Sequence, residues 1–440
     1  MTLHPMQQWL RSADPVLRTG RVRKILPTHI EADGPGVALG TLCEIETMPG
    51  DDVRSFQAEV VRVDRDSITL TPLEDSRPTF GGALVTASAQ SNNVAVGEPF
   101  LGRVVDALGR PIDGAGSIRG GHLVSLRSGT VSPLNRNSPQ NVLETGIRAI
   151  DSVLTLGRGQ RIGIFAASGV GKTSLMTQIA RQVTSDVTII CLVGERGREV
   201  ETIWNHRLDE KARSKSILVA ATSDQSASLR VRAGHYALAQ AEYWRARGKH
   251  VLLLLDSITR LAMAMREMGL AAGEPPTVRA YTPSVFAAIP KMVEKCGALK
   301  SGGAISAIMT VLSENDEIED PVCELMKSLL DGHIVLSRSL AEQGHFPAID
   351  IPRSISRQAE NLVPPPQRRQ ALQILEWLSK YEASRTLVDT GLYTKGSNEI
   401  IDRAVERFPH IIKFLKQDRD YCSPIASTNA LLARLVGEEK

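Results

Sequence analysis

Ala166, Ala167, Ser168, Gly169, Val170, Gly171, Lys172 and Thr173 follow the apolar run RIGIF and precede a stretch with helical periodicity. A turn of small residues between strand and helix lets successive backbone N–H groups face a phosphate chain. The helix start adds its positive dipole end. Lys172 is long enough to reach the β- and γ-phosphates, and the Thr173 hydroxyl suits Mg²⁺. Such a loop ordinarily opens on glycine; here Ala166 stands in that place, where the residue mainly tightens the turn. The competing reading is a glycine-rich turn that binds nothing, but Gly-Lys-Thr in this context points to a nucleoside triphosphate.

Hydrolysis needs further groups. Asp256 closes the run HVLLLL and so falls at the carboxyl end of a buried strand, the edge where open α/β sheets bind ligands. As an acceptor-only carboxylate it suits Mg²⁺ or its waters; taken alone, it reads equally as the cap of a following helix. In VGERGREVE, Glu195 lies just past the run VTIICLV. Glu195 and Glu199 are both candidates to orient and deprotonate an attacking water, against the plainer reading of a solvated loop pairing its own charges. Charge developing on a transferred phosphoryl group needs an arginine. Arg338, Arg353 and Arg357 are available, and spacing alone does not choose among them.

Three kinds of segment must position these residues. Up to residue 88, short apolar runs (GRVRKIL, GTLCEIET, QAEVVRV, SITLTPL) alternate with Gly, Asp and Pro clusters, which predicts a small β-sandwich or barrel. From 89 to 362, runs at 161–165, 187–193, 216–222, 250–256, 304–312 and 333–337 alternate with amphipathic stretches such as SLMTQIARQV and HYALAQAEYWRARG. The runs are continuously apolar, as strands covered on both faces should be, so this part is α/β with a mostly parallel sheet. From 363 to 440, beyond the boundary marked by Pro364 to Pro366, QALQILEWLSKYEA, EIIDRAVERF and TNALLARLVGEE have helical spacing.

Composition narrows the class. Hydrophobic residues at 42% and charged residues at 23% suit a soluble globular chain with a core that needs no staples. The net charge of +3 gives no electrostatic footprint for nucleic acid. Five scattered cysteines, with no CxxC pair, fit neither a disulfide framework nor a zinc site and suggest a reducing compartment. No run approaches the ~20 apolar residues of a membrane span, and the start of the chain has no signal-peptide pattern. The short segment MQQWLRS is a candidate for oligomerisation or docking, against the plain reading of a frayed terminus.

Taken together, the motifs resemble a known superfamily. PAIDIPRSIS (347–356) is similar to the shared signature of the α/β-type rotary ATPases, TGIRAID (145–151) with GRGQR (157–161) to their segment before the phosphate loop, and GRVVDALGRPIDG (102–114) to another shared stretch. GERGREV (194–200), GEPPT (273–277), DGHIVLSRSLAEQGHFPAID (331–350) and LYTKGSNEIIDRAVERFP (392–409) look like the type III export ATPases within it. The resemblance spans nearly the whole chain. It implies a RecA-like P-loop core with an N-terminal β-barrel for oligomerisation and a C-terminal helical domain for substrate and chaperone contacts.

The resemblance also assigns roles. Residues 166–173 would bind ATP, Glu195 would be the catalytic carboxylate, and Asp256 with Thr173 would hold Mg²⁺. Arg357 would be an arginine finger reaching a neighbour's site, which implies a homohexamer. Implied partners are stalk, stator and sorting-platform proteins and chaperone–effector complexes, with the ring cytoplasmic and peripheral to the inner membrane. ATSDQSASLRVRAG (221–234) and GLAAGEPPT (269–277) look closer to the injectisome branch than to the flagellar one. A hexameric RNA translocase like the Rho terminator shares DSITRLA (256–262), but residues 18–88 offer only Phe56 and Phe80 for base stacking. Departures from the family pattern stand at YTPSVF (281–286), MTVLSENDE (309–317) and ETIWNHRLDE (201–210). They bear on inter-subunit and pore surfaces.

Overall fold

Strand Leu42–Glu46 buries Leu42, Cys43 and Ile45 and exposes Glu44 and Glu46, the period-two pattern of a sheet with one dry face. It belongs with Thr19–Ile25, Ile30–Ala32, Ser55–Val63, Ile68–Pro72 and Leu84–Ala87 to a closed antiparallel barrel. The first and last strands pair with each other, so no edge is left free. Val22, Ile30, Ile45, Phe56, Leu70 and Val85 fill the interior. The choice left open by the sequence between sandwich and barrel therefore resolves to a barrel. The computed structural model describes residues 17–74, 77–88, 93–126, 128–129, 131–312 and 320–437. The segment MQQWLRS and residues 313–317 of the MTVLSENDE departure lie outside them.

Beyond the barrel the central strands are largely apolar. Val187–Val193 and His250–Asp256 are buried at every position because helices cover both faces. Ile189 and Cys191 pack toward helix Ala227–Arg245, whereas Ile190 and Leu192 pack toward helix Lys172–Gln182. Across the sheet the order is Ile349–Ser356, Gly332–Leu336, Arg161–Ala166, Ala304–Leu312, His250–Asp256, Val187–Val193, Ser216–Ala221 and Arg103–Val105. Neighbours run parallel except the first pair, which is antiparallel. The register sets Ala166 beside Leu312 and Leu192 beside Asp256. The carboxyl ends of the central strands therefore meet at one edge of the sheet.

Three helices close the chain, Pro365–Asp389, Glu399–Leu415 and Ile425–Gly437. Pro364 is the N-cap of the first, and Pro365 opens its first turn, where a missing N–H and a fixed φ cost nothing. The triple proline thus starts a helix as well as marking a change of composition. Tyr381 stacks on Phe408 with ring centroids 3.6 Å apart. Trp377, Ile411 and Phe414 join the same core as the phosphate-loop helix. The TGIRAID segment forms the joint. Buried Asp151 accepts from Thr145 N, Thr145 Oγ1 and Gly146 N, and the Gly146 carbonyl accepts from Gln417 Nε2 and Ser423 N.

Candidate functional site

Ala166 is the last residue of its strand, paired with Leu312. Its backbone is absent from the left-handed conformations, so alanine fits where glycine is customary. Gly169 and Gly171 do need glycine, with φ of 82° and 100°. Gly171 is the N-cap of helix Lys172–Gln182, and no side chain caps that end, so its first N–H groups face the cleft unclaimed. Val170 is buried between them and anchors the turn.

Four charges converge beneath the loop. Lys172 Nζ lies 2.5 Å from Asp256 Oδ1 and 3.6 Å from Glu195 Oε1. Thr310 Oγ1 also donates to Asp256 Oδ1 at 2.6 Å. Arg260, one helical turn after Asp256, donates from Nε to Glu195 Oε1 at 3.1 Å. Asp256 is 1% exposed and Glu195 5%. Burial, and then the charge of Asp256, raise the Glu195 pKa, while Lys172 and Arg260 pull it down. Gly194 makes the Arg260 contact possible: its φ is 69°, and a Cβ there would meet Arg260 Cδ at 2.9 Å.

Lys172, Glu195 and Arg260 line one cleft of about 1160 Å³ that also holds Ala167, Ser168, Thr173, Glu199 and Arg338. The site residues expected from the phosphate loop, Glu195 and Asp256 are thus brought together, with Asp256 under the floor. Glu199 sits in the first turn of helix Gly197–Thr202 on the rim. Arg338 reaches the rim but is spent on an exposed pair with Glu342 at 3.4 Å. Arg353 and Arg357 do not line the cleft. Arg357 follows the edge strand Ile349–Ser356, and its Nη2 donates to Lys327 O at 3.2 Å.

A second cavity of about 750 Å³ opens on the other side of the loop and shares Gly171 and Ser174 with the first. Val170, Leu175, Pro347 and Ala348 make it apolar, and Phe346 and Tyr421, each about half exposed, stand at its walls. Sequence reasoning missed these two rings and Arg260. The only signals were GHFPAID and the four-residue step from Asp256 to Arg260 in DSITR. Phosphates on one side of a nucleotide-binding loop and an apolar, aromatic-lined pocket on the other suit a purine nucleotide.

The nucleotide-binding domain of the ATP synthase alpha/beta family matches residues 146–356, and the T3SS EscN ATPase C-terminal domain matches residues 363–434. The chain is 42% identical to the flagellum-specific ATP synthase of Bacillus subtilis over 98% of both proteins. It is 40% identical to the type 3 secretion system ATPase of Xanthomonas euvesicatoria over 96% of this chain and 95% of that one. The assembled ATPase EscN of the enteropathogenic E. coli type III secretion system superposes with a TM-score of 0.89 at 38% identity, covering 95% of this chain and 100% of that one. EscN has also been solved in complex with its central stalk EscO.

Proposed function

Because the chain belongs to the family of flagellum-specific ATP synthases and type 3 secretion system ATPases, we propose that it hydrolyses ATP to energise a type III protein-export machine, freeing or unfolding substrates before export. The observation that carries this reading is the convergence of Lys172, Glu195 and Asp256 beneath the phosphate loop. In this reading the N–H groups of the loop and Lys172 hold the β- and γ-phosphates. Glu195, held between Lys172 and Arg260, takes the proton of the attacking water. A raised pKa brings its basicity nearer to the reaction pH. Phe346 and Tyr421 flank the adenine.

Residues fit for Mg²⁺ are present. Thr173 lines the cleft, and the Asp256 carboxylate lies just beneath it, bonded to Lys172 Nζ. Mg²⁺ at a nucleotide takes most of its ligands from phosphate and water, so one carboxylate and one hydroxyl suffice from the protein. Thr173 and Asp256 would hold it, and it would supply neutralisation of phosphate charge.

Arg357 lies away from its own cleft, which supports the reading that it serves a neighbouring subunit in a homohexamer. Residues 1–88 would then build the collar of that ring, 89–362 the motor and 363–440 the surface for stalk, stator, sorting-platform and chaperone–effector partners. No helix among the described residues is long and apolar enough to cross a membrane, and a place at the cytoplasmic face of the inner membrane suits such a machine. With the central glutamate removed by Glu195→Gln, nucleotide binding is expected to persist and phosphate release to fall at least about a hundred-fold; an unchanged rate would overturn the assignment. The 221–234 and 269–277 segments favour the injectisome branch, while a flagellar relative at 42% and a secretion relative at 40% stand equally near. Chromosomal Lys172→Ala is expected to stop effector release and leave swimming intact; the reverse pattern would make this the flagellar export motor.

A further inference from the structure

Arg357 is held at two points by one segment of its own subunit. Its backbone N–H donates to the Asp331 carbonyl at 2.9 Å, and Nη2 donates to the Lys327 carbonyl at 3.2 Å. The Asp331 carboxylate is in turn engaged by Arg161. Oδ2 accepts from Arg161 N at 2.9 Å and Nε at 3.0 Å, and Oδ1 accepts from Nη2 at 3.0 Å. Arg161 O closes the loop by accepting from Asp331 N at 2.9 Å. Gln160 Nε2 bridges Asp331 O and Ser356 Oγ at 3.2 and 3.0 Å.

Arg161 is the first residue of the strand whose last residue, Ala166, opens the phosphate loop. That strand spans about 17 Å and is hydrogen-bonded on both sides. A strand so clamped moves as a rod, so a displacement at the loop is delivered to Asp331. The second support leads back to the same place. Asp320 lines the nucleotide cleft and caps helix Pro321–Leu329, accepting from Val322 N at 2.7 Å. The far end of that short helix presents the Lys327 carbonyl to Arg357. A sheltered ion pair is seldom worth more in stability than apolar residues would be. What a bidentate Arg–carboxylate pair provides is fixed geometry.

We propose that Asp331, with Arg161 as its partner, is a positioning residue that gears Arg357 to the phosphate loop of its own subunit, so that the nucleotide state of one site sets the arginine offered to the next. This rests on the reading of Arg357 as acting in a neighbouring subunit's site, and the test separates the two. Rings are assembled from a subunit that binds ATP without turning it over and keeps its arginine (Glu195→Gln) and a subunit with an intact site and no arginine (Arg357→Ala). Recovery of ATPase activity in the mixture supports action between subunits; no recovery removes that reading and this proposal with it.

The Glu195→Gln subunit is then replaced by one that also carries Asp331→Asn, with ring formation followed by sedimentation. The recovery is expected to fall at least about ten-fold, since a misplacement near 1 Å costs up to a hundred-fold, with the KM for ATP at the intact sites unchanged. Recovery as large as with Glu195→Gln alone overturns the positioning role while leaving Arg357 in place. If the Asn variant does not enter rings, Arg161→Lys takes its role, keeping the charge but losing the two-pronged grip. Reduced recovery supports the proposal and full recovery overturns it.

Discussion

Gly194 and Arg260 should behave as one unit. Arg260 donates to a Glu195 oxygen at 3.1 Å. A hydrogen bond to a charged group is worth about 1.5–3 kcal/mol; the Arg260 side chain is 38% exposed, which places the value at the lower end. Loss of about 1.5–2 kcal/mol from an interaction that orients the base corresponds to roughly ten- to thirty-fold in kcat. Arg260→Ala should therefore cost that factor while ATP affinity, set by the loop and Lys172, stays within about two-fold. Gly194→Ala reaches the same end by another route. Its Cβ would sit 2.9 Å from Arg260 Cδ and push the guanidinium off Glu195, while the left-handed backbone at φ 69° adds about 1 kcal/mol of destabilisation. The assay is phosphate release at saturating ATP for both single variants and the double variant. If Gly194 exists to admit Arg260, the double variant loses no more than the worse single one. Rate losses that multiply would refute the reasoning.

Two further expectations follow from other parts of the chain. Phe346→Ala should raise the KM for ATP several-fold with kcat little changed, because an aromatic wall at the apolar cavity contributes binding that is equal in the ground and transition states; steady-state kinetics decides it. His250 carries a pH prediction. Burial, and then the charge of Arg158, lower its pKa from the ordinary 6.5 to about 4. Arginine can only donate, so Nδ1 accepts from Arg158 Nη2 at 3.1 Å, and Nε2–H donates to Ser306 Oγ at 2.8 Å. The folded protein thus keeps this ring neutral while the unfolded chain protonates it first. Stability is lost as pH falls from 6.5 toward 4, by up to about 3 kcal/mol. His250→Gln should flatten that part of the stability profile in denaturant titrations at pH 7 and pH 5.

The central strands were legible because both their faces are buried. Val187–Val193, His250–Asp256 and Ala304–Leu312 coincide with the runs read from the sequence, since burial on both faces favours apolar side chains at most positions and admits a polar one only where it finds a partner, as Thr310 does with Asp256. The phosphate loop was legible because its requirements are local: two left-handed glycines, a lysine and a hydroxyl within one turn. What escaped depends on contacts between distant segments. Arg260 reads as an ordinary helix residue until the register places strand His250–Asp256, which precedes its helix, beside strand Val187–Val193, which precedes Glu195. Phe346 and Tyr421 come together only when the C-terminal helices dock, and an aromatic residue carries no mark that separates a pocket wall from core. TGIRAID resembled a family signature, yet its physical role is the Asp151 turn that joins the nucleotide domain to the C-terminal helices. Spacing had no means of expressing that.

At and beneath the floor of the cleft two cations, Lys172 and Arg260, stand against two anions, Glu195 and Asp256. The four sum to zero, so buried charge is matched without any external partner. The arrangement also sets the order in which the groups change. Lys172 is the one member on the phosphate loop, and phosphate oxygens at the loop compete for it directly. As Lys172 turns toward phosphate, Glu195 loses one of the two cations that hold its proton affinity down, and keeps the other, Arg260. On the proposed role of Glu195, the carboxylate would then be a stronger base when phosphate is in place, with Arg260 still fixing its direction. A lysine shared between loop and base is a way to make base strength depend on bound substrate. It needs only the 3.6 Å approach of Lys172 to Glu195 that the strand register provides.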